Sequence, residues 1–251
     1  MSKIKLLHGD CLNEIKKIPD KFIDLVITDP PYQKKSNGYY VGGGAFGTNN
    51  RTYHMELDNN KLLDSVDLKI LDELVRVMKK INIYIWCNKE QLYMYMDYFK
   101  KHEQKMREKN KNYTIAIDLL TWHKTNPIPT CNNKYLSDTE YVLFFREHGV
   151  KIYGEYKTKK KYYVTSTNKA DKEKYSHPTV KPLEIIENLI VNSSSVGETI
   201  LDPYMGSGTT GEGAIRKDRN FIGIEILDEY YNTAKERINQ ATKEVAENVK
   251  S

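Results

Sequence analysis

The chain has 251 residues, 39% of them hydrophobic, and a formal charge of +5. That length supports one large α/β domain with a full core, and no window approaches the 18 consecutive apolar residues of a membrane span. Residues 1–10 lack the apolar core and small-residue cleavage site of a secretory leader, so the expected location is the cytoplasm, where Cys11, Cys87 and Cys131 are idle thiols, too scattered for a disulfide framework or a zinc site.

Ile23 to Ile27 is a short apolar run ending at Thr28-Asp29-Pro30-Pro31, which reads as a buried strand running into a loop. The next stretch, Gln33 to Glu56, is rich in Gly, Asn and Tyr and includes Gly42-Gly43-Gly44. It reads as a long mobile loop of the kind that serves as a lid. Leu63, Val66, Ile70, Leu74 and Met78 recur at helical spacing over residues 61–80, and residues 81–86 then read as a strand. A helix with Leu92, Met96 and Phe99 on one face follows, then strands at 115–122 and 141–146. Residues 151–175 are polar, basic and tyrosine-rich, with no clear period. Residues 182–191 read as a helix with proline near its first turn. Thr199 to Asp202 is a strand, a glycine loop opens a helix near Thr209, Asn220 to Glu225 is a second strand, and Asp228 begins a long final helix. Strands alternating with helices over short connections imply a parallel sheet.

Charge is unevenly spread. Residues 151–174 hold eight lysines against Glu155, Asp171 and Glu173, and residues 100–112 hold five lysines and Arg107 against Glu103 and Glu108. Lysine runs are commonly solvated surface; beside the motifs below they read as phosphate contacts.

Gly206-Ser207-Gly208-Thr209-Thr210-Gly211 matches G-x-G-x-x-G with a strand before it and a helix after it. The turn is tight and a ligand must approach its backbone closely, which glycine allows. Glu225 closes the next strand, 17 residues past Gly208, where a carboxylate can accept from both ribose hydroxyls of an adenosine. The fingerprint alone does not choose between NAD and S-adenosylmethionine (SAM). A dinucleotide fold needs several more strand–helix units after it, and here only one strand and two helices remain. Leu201 must therefore lie inside a sheet whose other strands come from earlier in the chain, a permuted order.

Asp29-Pro30-Pro31-Tyr32 follows the first strand. In open α/β sheets the chemistry sits at the carboxyl ends of strands. Two prolines fix the backbone and remove two N–H donors, leaving the Pro30 carbonyl and the Asp29 carboxylate free to accept from one amino group. Such a grip favours a tetrahedral nitrogen with an available lone pair, poised for in-line attack on a methyl donor. A base reacting there must leave its helix, and Tyr32 offers a ring to stack on it.

With these motifs together, the sequence resembles the amino-group DNA methyltransferases of the β class, in which the catalytic motif precedes the SAM motif. The resemblance runs through His8 to Cys11, Ile23 to Tyr32, Trp122 to Pro127, His177 to Pro182, Leu201 to Gly211 and Phe221 to Glu225. It implies a Rossmann-like SAM-dependent methyltransferase fold over residues 1–251, α/β with a mostly parallel, doubly wound sheet in circularly permuted order. It implies transfer from SAM to the N6 amino group of adenine, with Asp29, Pro30, Pro31 and Tyr32 as the target-base motif; an aspartate in first position is more typical of adenine enzymes. Asp10 and Cys11 resemble the contact to the SAM adenine, and Glu225 with Ile226 the ribose contact. Asp202, Tyr204, Gly206 and Gly208 resemble the loop around its methionine part, and Thr179 and Lys181 its carboxylate contacts; Asp29, Pro203, Met205, Ser207, Thr209 and Thr210 are further implied cofactor-binding positions. The family usually has phenylalanine where this chain has Tyr204. No metal is implied. Residues 148–176 occupy the place of a short target-recognition region. The implied partners are DNA and, by family habit, a second copy and a cognate restriction endonuclease. A cytosine-N4 methyltransferase and a catalytically silent DNA-binding subunit stand as alternatives.

Overall fold

The structure is a computed structural model that describes residues 2–32, 67–127, 129, 133, 135–167, 169–175 and 180–248. Its elements in chain order are β1 (Ile4–His8), α1 (Cys11–Glu14), β2 (Leu25–Thr28), α2 (Lys69–Val77), β3 (Asn82–Cys87), α3 (Leu92–Arg107), β4 (Ile115–Lys124), β5 (Thr139–Glu147), β6 (Tyr162–Thr165), α4 (Lys169–Lys174), α5 (Leu183–Ser193), β7 (Thr199–Asp202), α6 (Thr209–Arg216), β8 (Asn220–Glu225) and α7 (Asp228–Asn248). The strands form one sheet in the order β1-β8-β7-β2-β3-β5-β4-β6. β7 lies inside it, between β8 and β2, as the permuted order requires.

Side-chain alternation splits the core in two. Along β3, Ile83, Ile85 and Cys87 face one side, where α2 and α3 supply Ile70, Leu74, Tyr95 and Phe99. Tyr84 and Trp86 face the other, where α5, α6 and α7 supply Ile186, Leu189, Ala214 and Ile238. A strand buried on both faces reads as a continuous apolar run, which is why β2 and β3 were legible without a polar period.

The winding positions the site. From β7 the chain passes through α6 to β8, toward one edge of the sheet; from β2 it passes through α2 to β3, toward the other. α2 and α6 cover opposite faces. The adjacent strands β7 and β2 therefore flank a topological switch point, where a crevice opens outside the carboxyl ends.

Several elements differ from expectation. The helix foreseen over 61–80 is helical from Lys69 to Val77, with residues 61–66 outside the described set. It stops because Met78 turns extended and forms a parallel bridge with Ile23. That bridge also takes the start of the first strand, which runs from Leu25 instead of Ile23. The aperiodic stretch 151–175 contains β6 and α4. β1 and α1, unread in the sequence, add an edge strand beside β8 and a turn of helix capped by Asp10. β5 runs antiparallel to both β3 and β4, whereas the other five pairings are parallel. The stretch 33–56, expected to be a loop, lies outside the described residues.

Candidate active site

One cleft at the carboxyl edge collects most of the residues singled out in the sequence; Pro30 and Tyr32 are not in its lining. Gly9, Asp10 and Cys11 line it from the end of β1, Thr28, Asp29 and Pro31 from the end of β2, Asp202 to Ser207 with Thr209 and Thr210 from the glycine loop, and Glu225 with Ile226 from the end of β8. Lys181 and Trp86 complete the wall. Gly208, the remaining loop residue, caps α6. Thr179 lies outside the described residues.

The glycine loop is built around its backbone. Gly206 (φ 49°) and Gly208 (φ 80°) are left-handed, and a Cβ on Gly208 would stand 2.9 Å from Ala234 Cα. Only glycine meets both demands. Glu225 ties the loop to β8: one carboxylate oxygen accepts from Gly206 N at 3.0 Å, the other from Ile226 N and Leu227 N, each at 2.9 Å. Burial raises its pKa against these three amides. Asp10 accepts from Asn13 N at 3.1 Å. Burial pushes the Cys11 thiol up to about 11, with the nearby Tyr204 hydroxyl working against the rise.

Glu225→Ala removes a buried acceptor that holds Gly206. It is expected to weaken SAM binding by about 1.5–3 kcal/mol, the scale of a hydrogen bond to a charged group. Titration calorimetry measures this, and an unchanged Kd would remove Glu225 from the site.

Asp202 accepts from Tyr204 N at 3.1 Å. Burial pushes its pKa up to about 7, against bonds from Thr210 and the Tyr204 amide. The folded chain thus keeps a proton on Asp202 that the unfolded chain releases near pH 4, so stability falls through the window from there to about pH 7 and the full cost stands above it. Asp202→Asn keeps the acceptor and cannot ionise. Its stability relative to wild type is expected to rise between about pH 4 and about pH 7 in urea titrations; a constant difference would contradict this.

The tetrapeptide sits in a charged network. Lys181 Nζ lies 2.5 Å from Asp29 Oδ2 and 3.1 Å from Glu140 Oε2. Lys124 Nζ lies 2.6 Å from Glu140 Oε1, and the Tyr32 hydroxyl donates to Glu140 Oε2 at 3.3 Å. Gln91, fully buried, donates to the Pro31 carbonyl at 3.2 Å. Lys181 also stands over the rings of Trp86 (5.0 Å) and Tyr32 (5.6 Å). Burial works against the Glu140 charge, but Lys181 and Lys124 outweigh it and hold its pKa at about 2. Burial likewise opposes the Lys181 charge, and Asp29 and Glu140 keep it protonated. Burial raises the Asp29 pKa against Lys181. Asp29 Oδ1 is buried and has no hydrogen-bond partner among the described residues.

Glu140, Lys124 and Gln91 were not singled out as site residues from the sequence. Because β5 is antiparallel, its beginning reaches the edge where the parallel strands end, and Glu140 lies there. Lys124 ends β4, inside the Trp122 to Pro127 block, which was the one available signal. Of the basic run over 100–112, Lys101 and Arg107 pair with Asp97 and Glu103 one turn back on α3.

The cleft suits SAM. Left-handed glycines let a ligand approach the loop backbone, carboxylates stand at the β1, β7 and β8 ends, and a further carboxylate oxygen waits at Asp29. A mostly parallel α/β sheet with this cleft at its switch point fits a nucleoside-bearing cofactor. A model of the DNA methylase family, covering N6 and N4 enzymes, matches residues 23–236, and the chain belongs to that family. It is 29% identical over 248 residues to the type II methyltransferase M2.LlaDCHI of Lactococcus lactis subsp. cremoris, covering 94% of this chain and 89% of the relative. It is 28% identical over 250 residues to M2.DpnII of Streptococcus pneumoniae, covering 94% and 90%. The crystal structure of the M1.HpyAVI–SAM complex superposes with a TM-score of 0.66 at 25% identity, covering 94% of this chain and all of the other. The protein is a SAM-dependent DNA methyltransferase. No helix among the described residues is long and apolar enough to cross a membrane.

Proposed function

We propose that this enzyme methylates the N6 amino group of adenine at a specific DNA sequence. The observation that carries the reading is Asp29 Oδ1, a buried acceptor with no partner among the described residues, in the wall of the cleft. When bound, SAM would supply an electrophilic methyl group and leave as S-adenosylhomocysteine, the methylated amine giving up one proton. Asp29 and the Pro30 carbonyl accept from the target amine and turn its lone pair out of the ring plane. The bond from Gln91 holds the next carbonyl, so the tetrapeptide keeps its shape. Tyr32, fixed through Glu140, presents its ring to the extruded base. Glu225 and Asp10, with Cys11 and Ile226, serve the nucleoside end of SAM, and Asp202 with the glycine loop serves its methionine end. Lys181 has three N–H donors; Asp29 and Glu140 take two, and the third suits the methionine carboxylate, with Thr179 beside it in sequence.

The remaining assignments follow the same reading. Residues 1–251 form one catalytic domain, and residues 148–176 carry target recognition, with Tyr156 and Tyr162 exposed in it. The enzyme works in the cytoplasm as a homodimer, beside an endonuclease of the same specificity. Mass spectrometry of nucleosides from DNA treated with enzyme and SAM tests the target. N6-methyladenine is the expected product; N4-methylcytosine would move the target to cytosine, and neither would favour a silent subunit.

A further inference from the structure

We propose that Tyr175 is a positioning residue for the cofactor loop, acting through Arg237. This rests on the reading of the glycine loop as the SAM site. The buried stripe of α7 comprises Tyr230, Ala234, Arg237, Ile238 and Ala241. An arginine in such a stripe is exceptional and must be matched on every side. Arg237 is only 4% exposed. Its Nε donates to Glu212 Oε2 at 2.6 Å, and its Nη1 donates to Thr209 Oγ1 at 2.8 Å and to Ser207 Oγ at 3.4 Å. Ser207 and Thr209 line the cleft. Arg237 is therefore the strut under the loop, and Glu212 is its counter-charge.

Hydrogen bonds fix the guanidinium edge and leave its flat face to be covered. Tyr175 covers it, with the guanidinium carbon 4.1 Å from the ring centroid. Tyr175 follows α4, and its amide donates to Asp171 O at 2.9 Å, so the ring is carried by a segment far from α7 in sequence. A cation stacked on an aromatic face out of water is held electrostatically by the ring as well as by contact. The ring thus sets the plane in which Arg237 offers its donors to the loop. A stretch with no periodic signal, assigned above to target recognition, bears on the cofactor loop.

The test compares Tyr175→Phe, Tyr175→Leu and Tyr175→Ala in the full chain. SAM Kd comes from calorimetry without DNA, KM and kcat from methyl transfer to DNA, and folding from thermal melts. Leu and Ala are expected to raise the Kd and KM for SAM about tenfold, the scale of one desolvated cation–π contact, with kcat within about twofold of wild type. Phe, which keeps the π face, is expected to restore wild-type values. Leu or Ala at wild-type Kd would overturn the inference, as would Phe failing like Ala. If Ala does not fold, the Leu and Phe pair decides. A wild-type chain that does not bind SAM would strike the underlying reading itself, whereas wild-type binding with an unaffected Leu variant strikes this inference alone.

Discussion

Asp29→Ala is expected to lower kcat for methyl transfer by roughly 10²–10⁴-fold, the range for a group that manages an amine's hydrogens in the transition state. The SAM Kd is expected to move by less than about 1 kcal/mol, the net worth of one ordinary hydrogen bond. The separation follows from geometry. Asp29 Oδ2 is engaged by Lys181 at 2.5 Å, while Oδ1 is buried with no hydrogen-bond partner among the described residues. The cofactor loop is held by Glu225 and Arg237, whose hydrogen bonds run to Gly206 and Thr209 and not to Asp29. Asp29→Asn keeps the shape and one acceptor but loses the charge, and is expected to retain more activity than Ala. Loss of SAM binding and of transfer in step would make Asp29 chiefly a cofactor ligand.

Lys181→Met carries the second large effect. Lys181 is 9% exposed and bridges two carboxylates that are 25% and 17% exposed. Removing one partner of such a pair leaves uncompensated charge and costs about 3–5 kcal/mol of stability. Lys124 still holds Glu140, so the loss falls mainly on Asp29. Lys181 lowers the Asp29 pKa, and Glu140 raises it; without the lysine the pKa climbs further. The ionised Asp29 is the stronger acceptor for the amine, so the acid limb of kcat against pH is expected to move to higher pH. Activity lost at neutral pH then partly returns in alkali. Lys181→Arg keeps the charge and is expected to leave the limb near its wild-type position. An unshifted limb in Lys181→Met would detach this lysine from the Asp29 ionisation.

The sequence made the cleft legible where the structure is local. A strand ending in Asp-Pro-Pro-Tyr and a strand ending in a glycine loop each announce a carboxyl edge, and the parallel topology brings those edges together. The count of elements left after the loop placed β7 inside the sheet. What stayed hidden depends on long-range pairing. β6 is four residues long and, among the described residues, paired only with β4, so it carries no run that a period can reveal. Glu140 becomes a site residue only once β5 is known to run backwards. Arg237 falls on the inward face of its helix by spacing with Tyr230, Ala234 and Ala241, but nothing in the sequence names Glu212 and Thr209, the partners that let a charge sit there. Lys181 was expected to face the methionine carboxylate; its pairing with Asp29 and Glu140 joins motifs more than forty residues apart.

Single-molecule sequencing of DNA from cells expressing the wild type or Asp29→Ala tests the central claim most directly, because it reads base, position and dependence on Asp29 together. Methylated adenine at one sequence motif, present with the wild type and absent with the variant, is the expected result. Equal modification in both strains, or modification of another base, would contradict it.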